Sequence, residues 1–322
     1  MIITRTPFRV SFAGGGSDIK EFYSKNDYGA VVSAAIKKYM YIVIHPYFHD
    51  KISLKYSKTE DVENIDEIQH PIVRECLRRV QIEKGVEIAS FADVPAGTGL
   101  GSSSSFTVGL LNALYAYRGK TLSKERLAAE ACEIEINILG EPIGKQDQYA
   151  AAFGNINYIK FNKDETVDVL PLFFTESVRH KFEKSLCLYY IGGKRKSSDI
   201  LNEQKKNISN EDKFQNLRKM VLLANELKDT FYKGNIAGIG KILHKGWLYK
   251  KELASNISNK DIDDIYSRAV KYGAVGGKLL GAGGAGFLLI FAKNHEVLKK
   301  QLKYRTLPFS IDREGTKIIF QE

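Results

Sequence analysis

Cysteine is scarce in this chain, and the few it has make no pattern. Cys76, Cys132 and Cys187 are the only three in 322 residues, too far apart for a CxxC pair and odd in number for a disulfide framework. That excludes a disulfide-stapled scaffold and implies no structural zinc, so reduced thiols in a core are expected. Long hydrophobic runs are missing as well. No apolar stretch reaches the roughly 20 residues of a membrane span, and Met1-Ile2-Ile3-Thr4-Arg5-Thr6-Pro7 carries no apolar signal core. No membrane partner and a cytoplasmic location are the expectations. Repeats and low-complexity tracts are also lacking. No P-loop of the GxxxxGK[ST] type occurs, because Lys278 is followed by Leu279 and Lys194 by Arg195. Charge is not lacking: the formal net charge of +10 suits an acidic partner. The basic residues are scattered, with no nucleic-acid signature interleaving them with aromatics, so phosphorylated small molecules are the expected partners and nucleic acid is not.

What is there in abundance is glycine next to serine. Residues 95 to 105 read PAGTGLGSSSS. Residues 87–94 before them alternate loosely as a half-buried strand does, and Phe106, Leu110, Leu111 and Leu114 after them recur at helical spacing. The run is therefore a strand-to-helix elbow. Glycine lets backbone pass close to a ligand at positive φ, and serines at a helix start leave N–H groups and hydroxyls facing outward together. Such an end attracts anions. One serine is explained by a helix cap; four exceed what a cap needs.

The 43% hydrophobic content is ample for a sizeable core. Strand-like runs at 39–46, 87–94 and 155–161 alternate with helical patterns at 106–117 and 123–139. Beyond them the texture changes: a strand at 186–191, helices at 211–233, 236–251 and 260–272, and an apolar strand at 287–291. These patterns predict an α+β architecture of two sheet-bearing domains, 1–175 and 176–322, with a cleft between them.

Three further stretches carry chemistry. Gly281 to Gly286 spells GxGxxG, but the apolar strand 287–291 follows where a dinucleotide fingerprint needs a helix. A glycine-rich loop between two strands is the expectation, either a tight hairpin or a second wall against phosphates. In the N-terminal strand Arg9 interrupts an apolar run, and Asp18 follows Gly14-Gly15-Gly16 and Ser17, so both signs of charge arrive in one place. The plain alternatives are that Asp18 caps a helix beginning at Ile19 and that Arg9 ends on a solvated face. In the stretch from Glu135 to Tyr149 a helix ends near Gly140, Pro142 blocks its continuation, and Asp147 lies in a loop or on the next helix's first turn. Glu130 and Glu133 read as surface carboxylates.

Taken together and in this order, these regions resemble the GHMP kinases, a family that includes galactokinase, mevalonate kinase and homoserine kinase. PxxxGLGSS at Pro95 to Ser103 is the most specific element, and the similarity covers nearly the whole chain. The resemblance implies a ribosomal-S5-like first domain, a ferredoxin-like second domain, and ATP and substrate meeting in the cleft. In the sugar-kinase branch an arginine precedes a substrate-binding aspartate by nine positions, as Arg9 precedes Asp18, and a metal-binding glutamate stands twelve before the catalytic aspartate, as Glu135 stands before Asp147.

The resemblance then implies roles. Pro95, Gly97, Thr98, Gly99, Leu100, Gly101, Ser102, Ser103 and Ser104 would cradle the ATP phosphates. Ser103 and Glu135 would bind Mg2+, an ion that prefers oxygen ligands. Asp147 would take the acceptor's proton while Arg9 stabilises developing charge, and Asp18 would bind sugar hydroxyls. Galactokinase has a Glu-His pair just before the position of Asp18, where Gly15 and Gly16 stand here, so galactose is not the expected acceptor. Segments at 4–23, 188–201 and 276–287 resemble kinases whose sugar already carries phosphate. Arg195, Lys196, Lys278, Gly283 and Gly284 would join Gly15, Gly16 and Asp18 around that substrate. The oligomeric state is not legible in the sequence.

Overall fold

The computed structural model describes residues 1–193 and 197–322. Twelve strands are present among the described residues: β1 (Ile2–Ala13), β2 (Tyr28–Pro46), β3 (Ile52–Lys55), β4 (Thr59–Val62), β5 (Val86–Ala92), β6 (Ile156–Asn162), β7 (Val167–Pro171), β8 (Leu186–Gly192), β9 (Ala274–Leu279), β10 (Gly286–Ala292), β11 (Arg305–Pro308) and β12 (Lys317–Gln321). Interleaved with them are α1 (Lys20–Tyr23), α2 (Pro71–Val80), α3 (Ser102–Tyr117), α4 (Lys124–Cys132), α5 (Gln146–Phe153), α6 (Glu176–Lys184), α7 (Ser197–Asn207), α8 (Glu211–Tyr232), α9 (Ile236–Lys251), α10 (Lys260–Lys271) and α11 (His295–Leu302). The α+β prediction holds.

The larger sheet runs β12-β1-β2-β5-β3-β4, with β6 paired to β2 and β7 to β6. Strand β2 is long enough to serve two neighbours on one edge, β6 through Tyr28 to Ala34 and β5 through Met40 to Pro46. The smaller sheet, β11-β8-β10-β9, is antiparallel throughout. The last strand, β12, returns to pair with β1, so the larger sheet draws on both ends of the chain. Phenylalanines fill the junction between the sheets. Phe182 lies 5.6 Å from Phe12, 5.7 Å from Phe309 and 5.1 Å from Phe231 between ring centroids. All three cysteines are buried and free.

Two local readings change. The helix read over 123–139 is α4 followed by a π-helical stretch, Glu133–Ile138, in which the amide of Leu139 reaches back five residues to the carbonyl of Ile134. Glu130 is not a surface carboxylate: it is buried and accepts hydrogen bonds from Tyr115 Oη at 2.5 Å and Arg126 Nε at 2.7 Å. Tyr115 comes from a neighbouring helix, where pattern alone does not place it, and Arg126 from the preceding turn of the same helix.

Candidate active site

The run 95–105 forms the elbow its composition predicts. Gly97, Gly99 and Gly101 take φ of +77°, +85° and +73°, a region that costs other residues strain, and Gly101 starts α3 without a side-chain cap. The first amide groups of α3 have no partner within the helix and face the cleft with the loop. Of the four serines, Ser105 is structural, donating to Pro7 O at 2.8 Å. The other three stay at the mouth of the site: the hydroxyl of Ser103 donates to Glu135 Oε1 at 2.8 Å, and Ser104 also bonds Glu135.

The second glycine loop braces the first. The amide of Phe287 donates to Thr98 O at 3.2 Å, and a Cβ on Gly286 would lie 2.3 Å from that same oxygen. The two loops can touch only because no side chain stands between them. The turn presents Gly281 and Ala282 to the cleft, whereas Gly283 and Gly284 turn towards Ile257, whose carbonyl accepts from the Gly284 amide at 2.8 Å.

Arg9 sits at 6% exposure in the middle of β1, so its side chain is not solvated. Its backbone amide donates to Leu100 O at 2.9 Å, and its Nη1 to Gly99 O at 2.7 Å. The remaining arms, Nε and Nη2, grip both carboxylate oxygens of Asp147 at 2.6 Å. Asp147 occupies the first turn of α5. One arginine thus ties the glycine-loop backbone to the carboxylate.

Glu135 is fully buried by the π-helical stretch, which turns it into the cleft. Its Oε2 accepts from Gln148 Nε2 at 2.7 Å. Burial pushes its carboxyl up to about 7, while the bonds from Ser103, Gln148 and Ser104 pull the other way. Two hard oxygen donors, Ser103 Oγ and Glu135 Oε1, therefore converge beside the glycine loop. That is a fitting pair for Mg2+, which takes one or two protein oxygens and completes its shell with phosphates and water.

Asp18 does not cap α1, whose N-cap is Ile19. It is 2% exposed and accepts from the amides of Gly16 at 2.9 Å and Gln146 at 3.2 Å, and from Gln146 Nε2 at 3.0 Å. Burial raises its carboxyl, and the nearby charge of Asp147 adds to the rise. Gly144 makes room for it, because a Cβ there would stand 2.1 Å from Asp18 Oδ2.

These groups line two adjoining compartments. One contains Gly97, Gly99, Gly101, Ser102, Ser103, Ser104 and Glu135. The other contains Ser11, Gly15, Gly16, Asp18, Gln204, Lys250 and Lys278. Arg9 and Asp147 belong to both, standing at the wall between them. Pro95, Thr98 and Leu100 support the loop without lining either space. Arg195 and Lys196, with Lys194, lie outside the described residues.

Sequence reasoning overlooked Ser11, Gln146, Gln148, Gln204 and Lys250. Ser11 was within reach, since strand alternation puts it on the same face as Arg9. Gln146 and Gln148 flank Asp147, but a neutral amide shows its use only once its partner is known. Lys250 ends a helix whose pattern gives no sign that its amine is buried.

The GHMP kinases N terminal domain matches residues 69–155, and the GHMP kinases C terminal domain matches residues 227–303. The chain is 30% identical to the D-glycero-alpha-D-manno-heptose 7-phosphate kinase of Campylobacter jejuni, over 98% of each chain. It is 30% identical to galactokinase of Pyrococcus furiosus over 88% of this chain and 87% of that one. A solved D-glycero-D-manno-heptose 1-phosphate kinase from Bacteroides thetaiotaomicron superposes with a TM-score of 0.81 at 25% identity, covering 100% of both chains.

Proposed function

The chain belongs to the GHMP kinase family, and from that premise we propose that it transfers the γ-phosphoryl group of ATP to the anomeric hydroxyl of D-glycero-D-manno-heptose 7-phosphate, giving the 1,7-bisphosphate. The observation that carries this reading is the place of Arg9 and Asp147 in the wall shared by a phosphate-binding compartment and a carboxylate- and lysine-lined one. Phosphoryl transfer asks for a donor and an acceptor held in line, with charge stabilisation at the point where they meet.

In this arrangement the backbone amides from Gly97 to Ser104 hold the β- and γ-phosphates at the start of α3. When bound, Mg2+ neutralises charge on those phosphates, and Ser103 and Glu135 are the residues that would hold it. Asp18 accepts hydrogen bonds from the sugar's hydroxyls and orients the ring, while Gly15 and Gly16 leave space where a side chain would crowd the sugar. Asp147 Oδ1 or Oδ2 takes the proton from the attacking hydroxyl. Arg9, already bonded to the loop carbonyl of Gly99 and to both Asp147 oxygens, keeps the base in line and stabilises the charge that builds on the transferring group.

Heptose 7-phosphate is preferred over galactose because Gly15 and Gly16 stand where galactokinase carries its Glu-His pair, and because a relative matched over 98% of each chain is named for that substrate. The names of the two heptose kinases put the substrate phosphate at opposite ends of the sugar. A panel of heptose, heptose 7-phosphate, heptose 1-phosphate, fucose and galactose with ATP and Mg2+, read by ADP release, tests the proposal. Heptose 7-phosphate should give the highest kcat/KM, and preference for any other acceptor would contradict it.

A further inference from the structure

The acceptor compartment contains more positive charge than the chemistry at Asp147 uses. Among the described residues, five charged side chains line it: Arg9, Lys250 and Lys278 against Asp18 and Asp147. Arg9 and Asp147 are spent on each other. That leaves the buried carboxylate of Asp18 with Lys250 and Lys278.

Lys278 is the unusual member. It sits on β9 at 3% exposure, and among the described residues its ammonium finds one acceptor, the carbonyl of Phe12 at a long 3.4 Å. An ammonium removed from water is costly unless opposite charge or several good acceptors replace its hydration. Lys250, by contrast, directs its amine to the carbonyls of Leu279 at 2.9 Å and Gly281 at 2.5 Å, bracing the strand and turn that carry Lys278. A second donor lines the same compartment, one residue before Phe12 on β1. The hydroxyl of Ser11 is buried, lines the same space and has no partner among the described residues. Gln204, 5% exposed, closes that end next to Gly16.

We propose that Lys278 and Ser11, with Gln204 at the rim, form the subsite for the acceptor's own phosphate, and that this subsite is what selects a phosphorylated sugar over a free one. The inference rests on the phosphorylated acceptor proposed above. A phosphate there supplies negative charge to Lys278 and an acceptor to Ser11 within the compartment that Arg9 and Asp147 also line. Charge-assisted bonds of this kind are about twice as strong as neutral ones.

The charge on Lys278 also gives the subsite a pH signature. Burial, with the positive charge of Arg9, lowers its amine to about 8, opposed by Asp18. Below that pH the ammonium is present and binds the phosphate; above it the amine becomes neutral and the attraction is lost. KM for the phosphorylated acceptor should therefore climb as pH passes through about 8, while a lysine-free subsite would show no such limb.

The test compares kcat/KM on heptose 7-phosphate with kcat/KM on heptose for the wild type, Lys278→Met and Ser11→Ala, with thermal melts as the folding control. Lys278→Met should lower the ratio roughly 10- to 100-fold, the range for losing one charged contact. Ser11→Ala, a smaller change that keeps the fold even if the first variant does not, should lower it roughly 3- to 10-fold. Lys278→Met should also lose the alkaline rise in KM. A high wild-type ratio that both variants retain, including by equal losses of kcat/KM on both sugars, would overturn the subsite and leave the acceptor standing. A wild-type ratio near one would remove the phosphorylated acceptor itself.

Discussion

Arg9 holds Asp147 by two parallel bonds of 2.6 Å, Nε to Oδ1 and Nη2 to Oδ2, and a third arm fixes the carbonyl of Gly99. The geometry makes position and charge inseparable at this point. Replacing Asp147 by Asn keeps the volume but removes the base, and turnover should fall roughly 10²-fold or more with ATP binding retained. Arg9→Lys keeps the charge but not the fork, and should lower kcat by about 10²-fold. Steady-state kinetics with a nucleotide-binding assay on the same preparations checks both; near-normal turnover in either variant would remove that residue from its role.

Gln148 bears on the proposed Mg2+ site through Glu135. Its amide holds Glu135 Oε2 at 2.7 Å, so the other oxygen remains directed at Ser103. Outer partners of this kind typically contribute 10- to 100-fold in metal affinity. Gln148→Leu should raise the Mg2+ concentration for half-maximal activity by roughly that factor, 10- to 100-fold. A Mg2+ titration that superimposes on the wild type would show that Glu135 needs no such support.

Gly144 protects Asp18. A methyl group there would stand 2.1 Å from Asp18 Oδ2, so Gly144→Ala must move the carboxylate or the start of α5. Displacements of about 1 Å at a substrate-positioning group cost on the order of 10²-fold in rate. The loss should fall on kcat/KM for the sugar and spare KM for ATP, whose proposed compartment lies on the other side of Arg9. Equal losses for both substrates would contradict the division into two compartments.

The junction of the two sheets depends on Phe182, fully buried among Phe12, Phe231 and Phe309. Phe182→Ala should destabilise the protein by about 3–5 kcal/mol. Denaturant unfolding checks this, and a loss below about 1 kcal/mol would mean the aromatic cluster is not part of the cooperative core.

Much of the site could be read from the sequence because glycine and serine in the loop encode backbone requirements directly, and because Arg9, Asp18, Glu135 and Asp147 keep spacings that resemble those of one family. The remainder depends on tertiary neighbours. Ile134 to Leu139 reads as ordinary helix, and no pattern in it announces the π-helical stretch that buries Glu135. The first half of β2 passed unread because Gly29, Ala30, Ser33, Ala34 and Ala35 are small, although α8 packs on that strand. Glu130 looked like a surface residue because its partners Arg79 and Tyr115 lie far from it in sequence.

The most direct test of the whole account follows both phosphates of the product. With heptose 7-phosphate, ATP and Mg2+, 31P NMR should show ADP formed in step with a new sugar phosphorus signal coupled to the anomeric proton, while the 7-phosphate signal persists. Release of inorganic phosphate without a new sugar signal, or a new signal coupled to any other sugar proton, would contradict transfer to the anomeric hydroxyl.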